Sequence, residues 1–364
     1  MAPAPLKHRL KLAVREVWAR LLWHTPLWRL ADRLAPPRLV ILAGHAIGGG
    51  AEASSPAGLA AEMVISRAAL GQLVNELKRR HTFHTVSGGL AVLEGTASPA
   101  RRGGVALSFD DGYRDNAELL PELVASWGVP ATVYLESAPL EAPGERRVNW
   151  YHRLTWLEER LGSGEVARRL AGSGDAPAVA AHFADGHGAA PGELKRVLKY
   201  DEEPANVESA IEQLFQGEGG DGQALARELY MDWDGARALS AAGVELGGHT
   251  VTHPVMSQLT PEDCAREASE CRGRIQAEVP GDEVRSFAYP FGRCWDWTAQ
   301  AAQAVARAGF ANAVTTHAGA NLAGSESLAL KRWALSSETQ LHLIAAEACG
   351  GFELLRKLGL DLSE

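Results

Sequence analysis

The chain of 364 residues is long enough for one large α/β domain or two ordinary ones, and 46% hydrophobic and 22% charged residues are globular values. It holds no fixed-period repeat and no apolar run near the ~18 residues that cross a membrane. The net charge of −9 is uneven: residues 1–38 carry eight Lys/Arg against Glu16 and Asp32, about +6, leaving −15 elsewhere, a balance that argues against nucleic acid as the main partner.

The arm 1–38 interleaves Val14, Val17, Trp18, Leu21, Leu22, Trp23 and Leu27 with Arg and Lys. That is the pattern of a basic amphipathic helix, which lies on an anionic membrane, packs on the body or contacts a partner. Pro36-Pro37 ends it. Leu39–Ala43 reads as a buried strand running into Gly44-His45 and a glycine-rich loop, Gly48-Gly49-Gly50. A helix follows over about 66–80, with Ser66 as N-cap and Leu70, Leu73, Val74 and Leu77 as its apolar face.

Val105–Phe109 is the next strand and stops at Asp110-Asp111-Gly112. Asp115–Trp127 reads as a helix closed by Gly128, and Ala131–Leu135 as a strand. Residues of about 140–230 break the rhythm with Gly-rich joints at 172–174, 186–188 and 217–220, too long for a strand-to-helix loop; they are expected to form a helical cap. Within it, Trp150, Leu154, Leu157 and Leu161 share helical spacing and read as core.

The alternation then returns. Trp233–Ala242 is helical, Val244–Gly247 is a strand, and a helix with Thr260 and Asp263 as capping pair runs from about Pro261 to Glu278. Strands are expected at Ser286–Tyr289, 311–316 and 328–335, and helices at about 298–308 and 338–357. The four cysteines (Cys264, Cys271, Cys294, Cys349) form no CxxC pair. With no signal-peptide pattern, reduced thiols and a cytoplasmic location, peripheral at the inner membrane face, are expected.

Three polar clusters end apolar runs: Ser108-Phe109-Asp110-Asp111-Gly112, Gly248-His249-Thr250-Val251-Thr252-His253-Pro254 and Phe287-Ala288-Tyr289-Pro290-Phe291-Gly292. Adjacent acids on a strand end point different ways and can take different roles. Histidines four apart can converge on one metal. One carboxylate and two imidazoles leave open positions for water and substrate, as in a catalytic rather than a structural site. Metal-assisted hydrolysis is the chemistry this set suggests.

On these residues the chain resembles the polysaccharide deacetylase superfamily, carbohydrate esterase family 4, with its NodB-homology domain. The third cluster is similar to the Phe-Ala-Tyr-Pro-Tyr-Gly variant of the family's motif, and Gly112–Asn116, Gly128–Thr132 and Leu330-Lys331-Arg332 also fit. The resemblance implies an α/β fold, a distorted (β/α)7 barrel over 39–337 with a helical insertion and an N-terminal amphipathic helix. Residues 338–364 are expected as a C-terminal helix on the barrel. The family pattern implies that Asp111, His249 and His253 hold a divalent metal, zinc before cobalt, nickel, iron or manganese. Asp110 is then the general base, with a backbone N–H near Phe291 at the oxyanion.

Two departures stand out. The family's Arg two residues before the third motif's Pro is Ala288 here, with Arg285, Arg293 and Arg332 as substitutes. The late Leu-x-His that supplies the acid is missing; His317 and His45 are the candidates, and a protonated Asp110 is the alternative. Tyr289, Pro290, Phe291, Trp295, Trp297 and Arg332 are the expected substrate contacts.

The expected activity is removal of an N-acetyl or N-formyl group from an amino sugar in a glycan, lipid-linked saccharide or exopolysaccharide precursor. Hydrolysis of a non-sugar amide and a non-catalytic glycan-binding or scaffolding role are the alternatives.

Overall fold

Runs of Val, Leu and Ile too continuous for a one-sided sheet become strands buried on both faces. The computed structural model describes residues 6–48, 56–97, 103–186, 188–336, 339–357 and 359–360. Gly49-Gly50 of the glycine-rich loop and His187 of a predicted joint lie outside them. In chain order the strands are β1 (Arg38–Gly44), β2 (Ala46–Gly48), β3 (Val64–Ser66), β4 (Thr82–His84), β5 (Gly103–Phe109), β6 (Thr132–Leu135), β7 (Glu245–Gly248), β8 (Ser286–Ala288), β9 (Asn312–Val314), β10 (Asn321–Leu322) and β11 (Arg332–Ala334). The helices are α1 (Leu6–His24), α2 (Leu27–Leu34), α3 (Arg67–Lys78), α4 (Val86–Leu93), α5 (Arg114–Trp127), α6 (Trp150–Leu161), α7 (Ser163–Ser173) and α8 (Pro177–His182). They continue as α9 (Glu193–Tyr200), α10 (Pro204–Gly217), α11 (Gly222–Leu229), α12 (Trp233–Ala241), α13 (Pro261–Glu278), α14 (Ala299–Arg307), α15 (Leu341–Ala348) and α16 (Gly351–Lys357).

The parallel order β11-β1-β5-β6-β7-β8-β9 curls round until β9 meets the segment leading into β11 at a parallel bridge, Val314 to Leu330. That is the expected distorted seven-stranded barrel. The β7–β8 joint rests on one residue pair, Gly248 and Phe287. β4 adds to the first half of β5, and β10 pairs antiparallel with the start of β1. Helix caps form where the sequence places them: the Ser66 hydroxyl accepts from the Ala69 N–H, Thr260 accepts from Asp263, and Gly128 closes α5 in the left-handed region at φ 59°.

The cap between β6 and β7 is six helices, α6 to α11, around an apolar cluster of its own that includes Leu154, Val166, Leu170, Val197, Ile211 and Phe215. Two expectations of single helices are corrected. The arm is two helices, broken at Thr25-Pro26, and the C-terminal segment is two, broken at Gly350 with φ 74°. Arm and C-terminus pack together: Ala19, Leu22 and Ala31 meet Ala346, Cys349 and Phe352. Glu16 pairs with His342, and Trp18 Nε1 donates to the Gly351 carbonyl, so α1 packs along the C-terminal helices. The opposite face of the arm keeps Leu12, Val14, Val17, Leu21, Leu27, Leu30 and Leu34 exposed.

Candidate active site

Each motif spans the end of a parallel strand, β5, β7 or β8, so all three reach the same end of the ring, where α/β barrels hold their chemistry. The turns there are tight. Asp111, Thr250, His253 and Phe291 have φ of 71°, 68°, 56° and 58° and are the only non-glycine residues with positive φ among those described. Left-handed backbone at side-chain-bearing residues costs energy, and here the surrounding packing holds it. The histidine loop is tied down by Glu267 of α13, which accepts from the N–H groups of Val251 (2.8 Å) and Thr252 (3.0 Å) and from the Thr252 hydroxyl.

The two acids separate as strand alternation requires. Asp110 turns to Arg332, whose two terminal nitrogens donate to its two oxygens, both at 2.7 Å. The Arg332 Nε donates to the Thr315 carbonyl, and the side chain is fully buried. Burial resists ionisation of Asp110, but the Arg332 charge and hydrogen bonds, aided by His249 and His45, outweigh it and hold the carboxyl below its ordinary range.

Asp111 turns to the histidines: Oδ1 is 3.1 Å from Nε2 of His249 and 3.5 Å from Nε2 of His253. The His249 Nδ1–H donates to the Ala288 carbonyl (2.7 Å), which leaves Nε2 aimed at Asp111. Burial opposes charge on Asp111 too, yet the close His249 imidazole and the charges of His253, His249 and His45 keep it ionised well below the usual range. Burial also disfavours a charged His249, but Asp111 and Asp110 more than compensate and raise its pKa. For His253 burial wins, pushing it down to about 3 despite Asp111.

The Asp111 Oδ1 is buried and accepts no hydrogen bond, and one ligand atom from each of Asp111, His249 and His253 lies within 4.8 Å of the others. A buried, orphaned carboxylate oxygen facing two imidazole nitrogens fits a divalent cation, with coordination positions to spare.

These groups open into a cavity of about 400 Å³ whose wall includes His45, Tyr151, Lys195, Lys199, Phe291 and Arg293. His45 therefore reaches the site. His317 does not line the cavity; its backbone carbonyl accepts from the Arg332 N–H, and it serves the strand instead. Of the expected substrate contacts, Phe291 lines the wall with its ring 4.7 Å from that of His253. Tyr289 reaches the wall, but its ring stacks on Trp297 and its hydroxyl donates to the Leu328 carbonyl. Three expectations are corrected. Arg332 is sealed behind Asp110, Pro290 is buried off the cavity, and Trp297 is spent on packing against Tyr289. Trp295 is 55% exposed beside the cavity, its Nε1 donating to the Tyr200 hydroxyl.

Sequence reasoning missed Lys195 and Lys199, and placed Tyr151 only among the aromatics that open the cap. The signal for the lysines was present: they lie four apart on α9, opposite Leu194, Val197 and Leu198. Tyr151 packs against His253 and Phe291 at ring distances of 5.2 and 5.9 Å. Around it, Asn149 Nδ2 donates to Glu136 and to the Tyr151 and Tyr230 hydroxyls, while His152 bridges the Tyr113 hydroxyl and the Gly58 carbonyl. This polar seam joins cap to barrel.

A family model described as polysaccharide deacetylase matches residues 97–313. Among solved structures, the fold is similar to the Streptococcus pyogenes deacetylase PplD (16% identity, TM-score 0.54, 86% of this chain and 99% of that one). It is also similar to a de-N-acetylase from Aggregatibacter actinomycetemcomitans (15%, 0.54, 83% and 97%) and to IcaB from Ammonifex degensii (16%, 0.53, 86% and 98%). Identities this low speak for the fold alone, whereas the family match covers more than half of the chain, takes in all three motifs and runs into β9. Barrel, motifs and match agree: the chain belongs to the polysaccharide deacetylase family.

Proposed function

We propose that the protein hydrolyses the N-acetyl group of an amino sugar, with Asp110 as general base beside a divalent metal, zinc foremost, held by Asp111, His249 and His253. The observation that carries this is the pairing of two differently committed carboxylates: Asp110 gripped by buried Arg332, Asp111 facing two imidazoles, both on one cavity. The deacetylase family and the S. pyogenes relative, solved in complex with acetate, support an acetyl substrate.

A divalent ion bound there supplies Lewis acidity toward the amide oxygen and an acidified water. Asp110, kept ionised by Arg332, accepts the proton of the attacking water as its oxygen bonds to the carbonyl carbon. The Phe291 N–H is the protein donor for the oxyanion. Cleavage of the C–N bond then requires a proton on the leaving nitrogen. His45, on the cavity wall, delivers it, or Asp110 returns the one it took. The products are acetate and the free amine. The test is metal analysis with a free-amine assay on N-acetylglucosamine oligomers and lipid-linked acetamido sugars. A metal-loaded protein that releases no amine from any of them overturns the reading.

The arm belongs to the same proposal. No described helix is long and apolar enough to cross a membrane, but the exposed apolar side of α1 and α2 lies among basic residues in a segment of charge about +6. That combination suits an anionic membrane surface, at the cytoplasmic face in this reading. Val17→Glu with Leu30→Glu is expected to abolish flotation with phosphatidylserine vesicles; unchanged flotation overturns the idea.

A further inference from the structure

The cavity mouth carries more positive charge than amide hydrolysis needs. On α9, Leu194, Val197 and Leu198 are buried in the cap, while Lys195, Arg196, Lys199 and Tyr200 line the cavity; Arg293 joins them from the loop after β8. Two of the four cations are partnered on the spot: Lys199 by buried Asp296 at 2.9 Å, Arg196 by Asp201 at 3.0 Å. Among the described residues no carboxylate lies within ion-pair distance of Lys195 or Arg293, although exposed Glu62 shares the wall and Glu158 lies near Lys195.

Half-buried Lys195 sits 5.2 Å from the Tyr151 ring centroid, and exposed Arg293 5.7 Å from that of Trp295. Burial depresses the Lys195 pKa; Glu62, Glu158 and Asp111 oppose this, and Arg293 adds to it, so the two cations act on each other. A body of charge −15 outside the arm has thus gathered unpaired positive charge at its catalytic mouth. Like charges gathered on one cavity wall repel each other when alone and are favourable around a shared anion.

We propose that the acetamido sugar enters carrying a phosphoryl group, as a sugar phosphate or diphosphate, seated between Lys195 and Arg293. The proposal rests on the deacetylase reading and deepens it. A phosphate ester brings nearly two negative charges, matching two free cations better than the single charge of a uronate. Arg offers the planar fork that phosphate oxygens fit, Lys a point charge. The phosphoryl group can belong to a nucleoside diphosphate sugar or to a polyprenyl-linked sugar, which share this chemistry.

The test is kinetics of the metal-loaded full chain on methyl N-acetylglucosaminide, its 1-phosphate analogue, the uridine diphosphate sugar and the polyprenyl diphosphate sugar, with Lys195→Met and Arg293→Met alongside wild type. A charge-assisted contact is worth about ten- to a hundredfold in affinity. Wild type is therefore expected to show a KM at least about tenfold lower for a phosphorylated form than for the neutral glycoside. Each variant is expected to erase most of that preference with little change in the kcat ratio, and Lys195→Arg to restore it. The better of the two diphosphate arms identifies the carrier.

Equal KM for neutral and phosphorylated substrates, or variants that weaken both alike, overturns the anion site and leaves the deacetylase reading intact. If no acetamido sugar is turned over, that reading is what fails. Calorimetry with N-acetylglucosamine 1-phosphate then decides the site separately: binding lost in both variants supports it, and no binding by wild type overturns it.

Discussion

The cavity has two walls of different origin. The barrel wall is made of strand ends, with four left-handed non-glycine residues and every metal and base candidate on it. The cap wall is made of helices, carries no strained backbone of that kind among the described residues, and contributes Tyr151, Lys195 and Lys199. The contrast separates the candidate metal and base groups, all on strand ends, from Tyr151, Lys195 and Lys199, which the cap adds opposite Phe291 and Arg293. One wall can change its side chains without moving the reacting groups of the other.

The sharpest way to break this division is Asp110→Asn. Removing a general base is expected to cost about a thousandfold in kcat with metal content unchanged by elemental analysis; full activity would move the base elsewhere. Arg332→Gln comes next. It leaves a buried carboxylate without its cation, so denaturant unfolding is expected to show a loss of about 3–5 kcal/mol. Burial then raises the Asp110 pKa, so the acid limb of the pH–rate profile moves to higher pH. A profile that stays in place would mean that Arg332 is only structural.

The seam between the walls is probed by His152, which burial pushes down to about 4 despite the Gly58 carbonyl and Asp111. Its folded pKa lies below its unfolded value, so the unfolded chain binds the extra proton. Stability is full above about pH 6.5 and is lost as pH falls toward 4, by about 3 kcal/mol in all. His152→Gln, which can still bridge Tyr113 and Gly58, is expected to flatten that slope; an identical slope would clear His152 of the role. The smallest effect is expected from Trp295→Ala: a few-fold rise in KM for a sugar substrate at constant kcat, from loss of an exposed stacking face. A fall in kcat instead would place Trp295 closer to the chemistry than its position suggests.

The strand ends and their motifs were legible because each cluster is local: a buried run, then Asp-Asp or His-x-x-x-His, all within a few residues. The role of Arg332, one of three arginines able to replace the family's, depends on closure of the ring and so is not local in sequence. β11 pairs with β1 (Arg332 opposite Ile41) and β1 with β5, and only that two-step register lays the guanidinium behind Asp110. Pro290 and Trp297 failed for a related reason: closeness to a motif in sequence does not say which side of a turn faces the cavity. The helix breaks at Thr25-Pro26 and Gly350 carried ordinary breaker residues, which an uninterrupted apolar pattern outweighed.

The join between β9 and the segment before β11 is narrow: Leu330 donates to the Ala313 carbonyl and accepts from Thr315, and two residues later comes the guanidinium that grips Asp110. The latch of the cylinder and the holder of the base therefore share one short stretch of chain. If that stretch peels away, Asp110 loses its cation in the same movement, so opening of the ring and a rise in the carboxyl pKa are one event.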